Sequence, residues 1–151
     1  MSYQKSNHFD LSNLDKIKQI IHNSTKSIRL DLSGLTVLTE AATGNWAYTP
    51  FIAALSGATS VICYTKNSKY GKTKEIIHNF EILSKYFDVQ KRIHVYENLT
   101  KEIIGKADIV TNSGLLRPID KKFINSMKKT AVISLMWEPW EFREKDLDLS
   151  A

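Results

Sequence analysis

The chain is poor in several residue types, and each shortage closes off a class of protein. Its single cysteine, Cys63, cannot build a disulfide framework. Lying in the middle of an apolar run, it is expected to be buried and inert, in a reducing, cytoplasmic compartment. No apolar stretch approaches the roughly 20 residues a membrane-spanning helix needs, and the N-terminus carries no apolar core of a signal peptide, so no membrane partner is expected. Internal repeats and low-complexity tracts are missing too. So are dense basic runs: the net charge is +5, but the lysines scatter over positions 66, 69, 72 and 74, then 85 and 91, then 121, 122, 128 and 129. Without strand-borne aromatic pairs beside them, nucleic acid is not expected as a partner. What remains, 151 residues that are 42% apolar, is enough for one core and one domain.

The chain's centre of organisation is Leu35 to Lys66. Leu35-Thr36-Val37-Leu38-Thr39 is a β-branched, apolar run that ends in small residues, and a helical pattern follows at Phe51-Ile52-Ala53-Ala54-Leu55. Gly57 stops that helix. Val61-Ile62-Cys63-Tyr64 is then a second short run of the kind buried on both faces of a parallel sheet. A strand feeding a helix through a tight turn aims free N–H groups beyond the strand's carboxyl end, a place that suits a phosphate.

The turn compares with the dinucleotide fingerprint G-x-G-x-x-G/A in the register Ala42-Thr43-Gly44-Asn45-Trp46-Ala47. The first glycine is replaced by Ala42, the second is kept as Gly44, and the third is the permitted Ala47. Near the end of the second strand, where a ribose-reading carboxylate belongs, the chain reads Thr65-Lys66-Asn67-Ser68-Lys69. With no carboxylate there, a cationic turn would pair with a 2′-phosphate, favouring NADP over NAD. The alternative is that Lys66 and Lys69 are solvated loop charges. Gly71-Lys72-Thr73 resembles the end of a P-loop, but that motif requires glycine at position 66, where Lys66 stands.

Around this centre the remaining elements fall in order. Residues 1–9 read as a polar lead-in to a domain spanning 10–151. Leu11, Leu14, Ile17, Ile20 and Ile21 recur at helical spacing, with Asp10 or Ser12 as cap. Gly71 to Phe87 carries Ile76, Ile77, Phe80, Leu83 and Phe87 as the buried stripe of a second long helix, with His78 facing solvent. Further strands are expected at 92–96, 107–111 and 131–136, with a brief helix at 99–104 and another capped by Asp120 and running through Ile124 and Met127. Alternating strands and helices predict a Rossmann-like, doubly wound parallel α/β sheet of about five strands in order 3-2-1-4-5, preceded by an N-terminal helix. Ligands of such sheets bind at the topological switch beyond the carboxyl ends, which brings Gly44, Asn45, Thr65, Lys66, Asn112, Ser113 and Gly114 to one rim.

The run ATGNWA followed by a helix and VICYT, then ADIVTNSGLLRPIDKKFINSMKKTAVISL, resembles the NAD(P)-binding domain of D-isomer-specific 2-hydroxyacid dehydrogenases and S-adenosylhomocysteine hydrolases, over roughly residues 30 to 148. That resemblance implies a dinucleotide cofactor, NADP or NAD, in an oxidoreductase, with Ala42, Thr43, Gly44, Asn45 and Trp46 at the pyrophosphate, Thr65 and Lys66 at the adenosine ribose, and Asn112, Ser113 and Gly114 near the nicotinamide. The dehydrogenases' catalytic Arg, acid and His find no match here, and no substrate domain is seen. After the fifth strand come Trp137-Glu138-Pro139-Trp140. Glu138, between two tryptophans, is the one weak catalytic candidate, against the plainer reading of a solvated turn carboxylate.

Two other functions stay open. VLTEAATG also resembles the first motif of S-adenosylmethionine methyltransferases, with Glu40 four residues before Gly44. Alternatively the chain is a non-catalytic binding or assembly subunit, in which Trp46 obstructs a dinucleotide. A sheet with unpaired edges also predicts a homodimer or a second chain that completes the site.

Overall fold

The computed structural model describes residues 13–111 and 113–134. Helix α1 spans Leu14–Ser27. Strand β1, Thr36–Glu40, leads through a 3-10 turn at Gly44–Tyr48 into α2, Thr49–Leu55, and β2, Ser60–Tyr64. Then follow α3 (Thr73–Tyr86), β3 (Ile93–Tyr96), α4 (Lys101–Ile104), β4 (Ile109–Thr111), a 3-10 turn at Gly114–Leu116, α5 (Lys121–Ile124) and β5 (Val132–Ser134). The sheet has five strands, all pairs parallel, in order β3-β2-β1-β4-β5. This is the architecture predicted from the alternation of short apolar runs and helical stripes, including its N-terminal helix.

Parallel strands are buried on both faces, so each alternate residue enters a different core. Val37, Val61, Cys63 and Ile93 meet Phe51, Phe80, Leu83 and Phe87 beneath α1, α2 and α3. On the opposite face, Leu38, Ile62 and Val110 pack with Ile104, Leu116, Ile119 and Phe123. Phe51 is the hub of the first core, its ring centroid 5.3 Å from that of Phe80 and 5.1 Å from that of Phe87. Burial pushes the Cys63 thiol well above its ordinary range, so it behaves as a small apolar side chain.

Helix α1 offers Leu14, Ile21 and the partly buried Ile17 to the first core, while Ile20 is exposed. Ile20 stands about 100° around the helix from Ile21, past the edge of the stripe. Asp10 and Ser12, the expected caps, lie outside the described residues. The α1 stripe is held against α3 at its edge by a hydrogen bond from the Tyr86 hydroxyl to Asp15. Gly57 ends α2 at φ +96°, where a Cβ would stand 2.9 Å from Ser33 Oγ, so only glycine fits without strain.

The amino end of the sheet is fastened by Asp108. Its Oδ2 accepts the Thr36 N–H at 2.8 Å, and its Oδ1 accepts from Lys128 Nζ at 2.7 Å. Both bonds favour the charged carboxylate and hold Asp108 below its ordinary pKa. Among the described residues no helix is long and apolar enough to cross a membrane.

Candidate functional site

The carboxyl ends of β1 and β4 are paired, and the chain leaves them toward opposite sides: to α2 from β1, to the Gly114–Leu116 turn from β4. The crevice between them is the switch point. Gly44 sits at its mouth with φ +63°, and nothing lies within 4 Å of where a Cβ would be. The backbone there is both left-handed and open, which permits close approach of a ligand. Asn45 and Trp46 are exposed beside it.

Beneath the turn lies Glu40, the last residue of β1, only 6% exposed. Its Oε2 accepts the Leu115 N–H at 2.7 Å, tying β1 to the segment after β4. Burial pushes its carboxyl above the ordinary range, a rise opposed by the Leu115 N–H and by the Arg117 guanidinium. A row of hydroxyls crosses from strand to strand alongside. Thr111 Oγ1 donates to Thr39 Oγ1 at 2.8 Å and lies 3.2 Å from Ser113 Oγ. Since the single Thr111 proton goes to Thr39, the Ser113 hydroxyl is the donor in the second contact. A buried carboxyl and a hydroxyl chain can hold a polar ligand and exchange a proton with it.

Of the sequence-predicted residues, Gly44, Asn45, Ser113 and Gly114 reach this rim, with Ala42 and Thr43 in the turn that leads from β1 to Gly44. Thr65 is wholly buried, and its hydroxyl has no hydrogen-bond partner among the described residues. Lys66 is exposed, its Nζ 5.9 Å from the centre of the Tyr64 ring. Asn112 and Glu138 lie outside the described residues. Three residues absent from the expected site emerge from the geometry: Glu40, considered only within a methyltransferase motif, Thr111 and Arg117. The available signal was a carboxylate closing an apolar strand, directly ahead of the turn. No group of three or more metal-ligating side chains occurs among the described residues.

No protein-family model matches the chain, and no curated protein sequence does. Solved structures do. A ligand-free aspartate transcarbamoylase from Trypanosoma cruzi aligns at a TM-score of 0.50 and 13% identity, covering 85% of this chain and 44% of that one. The structure of the same enzyme in complex with phosphate aligns at 0.50 and 15%, covering 87% and 44%. A third, assigned to an aspartate carbamoyltransferase of that organism, gives 0.51, 15%, 87% and 44%. The chain thus spans less than half the length of the structures it matches, and at these identities the likeness is one of fold.

The finding corrects the functional expectations. The neighbours are carbamoyltransferases, not dehydrogenases or S-adenosylhomocysteine hydrolases, so the family resemblance, the oxidoreductase activity, and NADP, NAD or S-adenosylmethionine as cofactor are withdrawn, together with the methyltransferase alternative. The physical reason is that a βαβ alternation specifies a parallel sheet, which unrelated functions share. The ligand-specific part of the pattern was the degraded fingerprint. In the structure that turn runs into 3-10 geometry at Gly44–Tyr48 before the seven-residue α2, not directly into a helix as the dinucleotide fingerprint does.

Proposed function

We propose that the chain binds a small anionic metabolite, a phosphate ester or acyl phosphate, in the crevice between the Ala41–Gly44 turn and the Ser113–Gly114 turn. Gly44 and the neighbouring amides of Asn45 and Trp46 hold the anion, and Glu40, Thr111 and Ser113 line the crevice toward β4. Gly44 carries the reading: its left-handed, uncovered backbone, in the turn that follows the central strand, has no packing role that glycine alone could fill. Support comes from the chain's net charge of +5 and from the carbamoyltransferase-like fold, one of whose representatives was determined with phosphate. By that likeness the whole protein is proposed to transfer an activated carbamoyl or acyl group, with this chain supplying the anion-binding half and a second domain or subunit the acceptor.

Calorimetric titration with inorganic phosphate and with carbamoyl phosphate tests the reading. Saturable binding is expected, weakened by about tenfold or more in Gly44→Val, since a branched side chain both resists positive φ and fills the approach. Unchanged affinity would remove Gly44 from the site.

A further inference from the structure

The β2 side of the rim carries exposed rings that the core does not explain. Trp46 is 50% exposed and Tyr70 is 52% exposed. Four lysines, at 66, 69, 72 and 74, are exposed over the same stretch, before the first acid at Glu75. Lys69 Nζ lies 4.9 Å from the centre of the Tyr70 ring.

The segment that bears them is braced. Ser68 and Gly71 exchange two backbone hydrogen bonds, at 3.1 and 3.3 Å. Ser68 Oγ accepts the Tyr70 N–H at 3.1 Å, and Asn67 Oδ1 accepts the Thr73 N–H at 3.0 Å. It is also fastened to the Gly44 turn, because Thr43 Oγ1 donates to the Tyr70 carbonyl at 3.4 Å. Gly71 makes that approach possible: a Cβ there would stand 3.0 Å from Thr43 Cγ2. Trp46 and Tyr70 therefore flank one turn on one connected frame.

We propose that Trp46, Tyr70 and the lysines around them seat a flat aromatic group of the ligand whose anionic end lies at Gly44, so that the metabolite is an aromatic phosphate ester or acyl phosphate. Exposed rings on a braced backbone gain contact area with little ordering cost. Lysines beside them raise the positive potential that draws an anionic ligand to this side of the rim. Single-stranded nucleic acid combines rings and charge in the same way, but it needs a groove several nucleotides long. Two rings and one loop match a single aromatic unit.

The inference rests on the anion reading above, and one set of titrations separates the two. Phenyl phosphate, methyl phosphate, neutral indole and a single-stranded oligothymidylate are titrated against the parent, Gly44→Val, Trp46→Ala and Tyr70→Ala, with circular dichroism confirming that each variant is folded. Phenyl phosphate is expected to bind about tenfold tighter than methyl phosphate; Tyr70→Ala abolishes that preference while leaving methyl phosphate affinity unchanged, and Trp46→Ala abolishes the preference as well. Equal affinities, or a preference that survives both substitutions, overturn the aromatic seat and leave the anion site standing. Indole binding that depends on Tyr70, with no response to either phosphate, sinks the anion reading and keeps the seat. No response to any probe sinks both. Oligothymidylate binding tighter than phenyl phosphate overturns the seat in favour of a nucleic-acid surface.

Discussion

The strand pair β1 and β4 is clasped at both ends by a carboxylate that accepts a backbone N–H from the other side. At the amino end Asp108 takes the Thr36 N–H at 2.8 Å. At the carboxyl end Glu40 takes the Leu115 N–H at 2.7 Å. The bonds are alike, but their surroundings differ. Asp108 is part-exposed and paired with Lys128, which lowers its pKa; Glu40 is buried, and burial dominates over its N–H and the nearby Arg117, which raises its pKa. One clasp stabilises the fold as a charge. The other places a carboxyl where burial disfavours its charge.

Leu38 lies midway between the clasps, fully buried and in register with Ile62 and Val110. Leu38→Ala should cost about 2–5 kcal/mol of stability in urea denaturation, because the rigid strands around it cannot close the cavity. A loss well below that range would mean that the clasps, and not the packing between them, hold the pair together. Next in size is Asp108→Asn. The amide can still accept the Thr36 N–H, but it forfeits the ion pair, and the part-exposed site limits the loss to about 1 kcal/mol. The sign of its pH dependence follows from the lowered pKa. Asp108 stabilises above its ordinary value of 3.8, and that contribution disappears as pH falls through the folded-state pKa. The parent and Asp108→Asn should therefore converge in acid; a gap that persists there would assign the loss to something other than charge.

Sequence reasoning found the sheet because the sheet is a local affair. Val37-Leu38, Val61-Ile62-Cys63 and Ile109-Val110 are short apolar runs with helical stripes between them, and right-handed crossovers leave few ways to order them. Helix lengths were less legible. The stretch from Asp120 through Met127 reads as one helix, yet α5 stops at Ile124. The site depended on contacts that no local pattern encodes. Glu40 stands in the sequence only as part of a motif, and its bond from the Leu115 N–H, 75 positions later, is visible only in the fold. Thr65 looks like a rim residue until burial shows otherwise. The cofactor was the least legible of all, since its one specific signal was a fingerprint with Ala42 in place of glycine, and fold cannot supply what the motif lacks.

The smallest expected effect is the most discriminating, because it applies the same acid-to-amide change to the other clasp and should reverse its sign. Glu40→Gln keeps a carbonyl that accepts the Leu115 N–H and removes a charge that burial disfavours. At pH 8 it should be more stable than the parent, by about 1 kcal/mol or less, the Arg117 attraction offsetting part of the relief. Glu40 has a folded-state pKa above its ordinary 4.5, so between those values the folded protein keeps a proton that the unfolded chain has released. Parent stability accordingly falls as pH rises through that window, and the advantage of Glu40→Gln grows there and levels off above it. Denaturation of parent and variant from pH 4 to 8 measures this directly. If Glu40→Gln were less stable at every pH, the buried carboxylate would be a structural clasp like Asp108, and the carboxyl rim would lose its clearest mark of function. A stabilised variant with altered affinity for the crevice ligand would instead show stability given up in favour of binding.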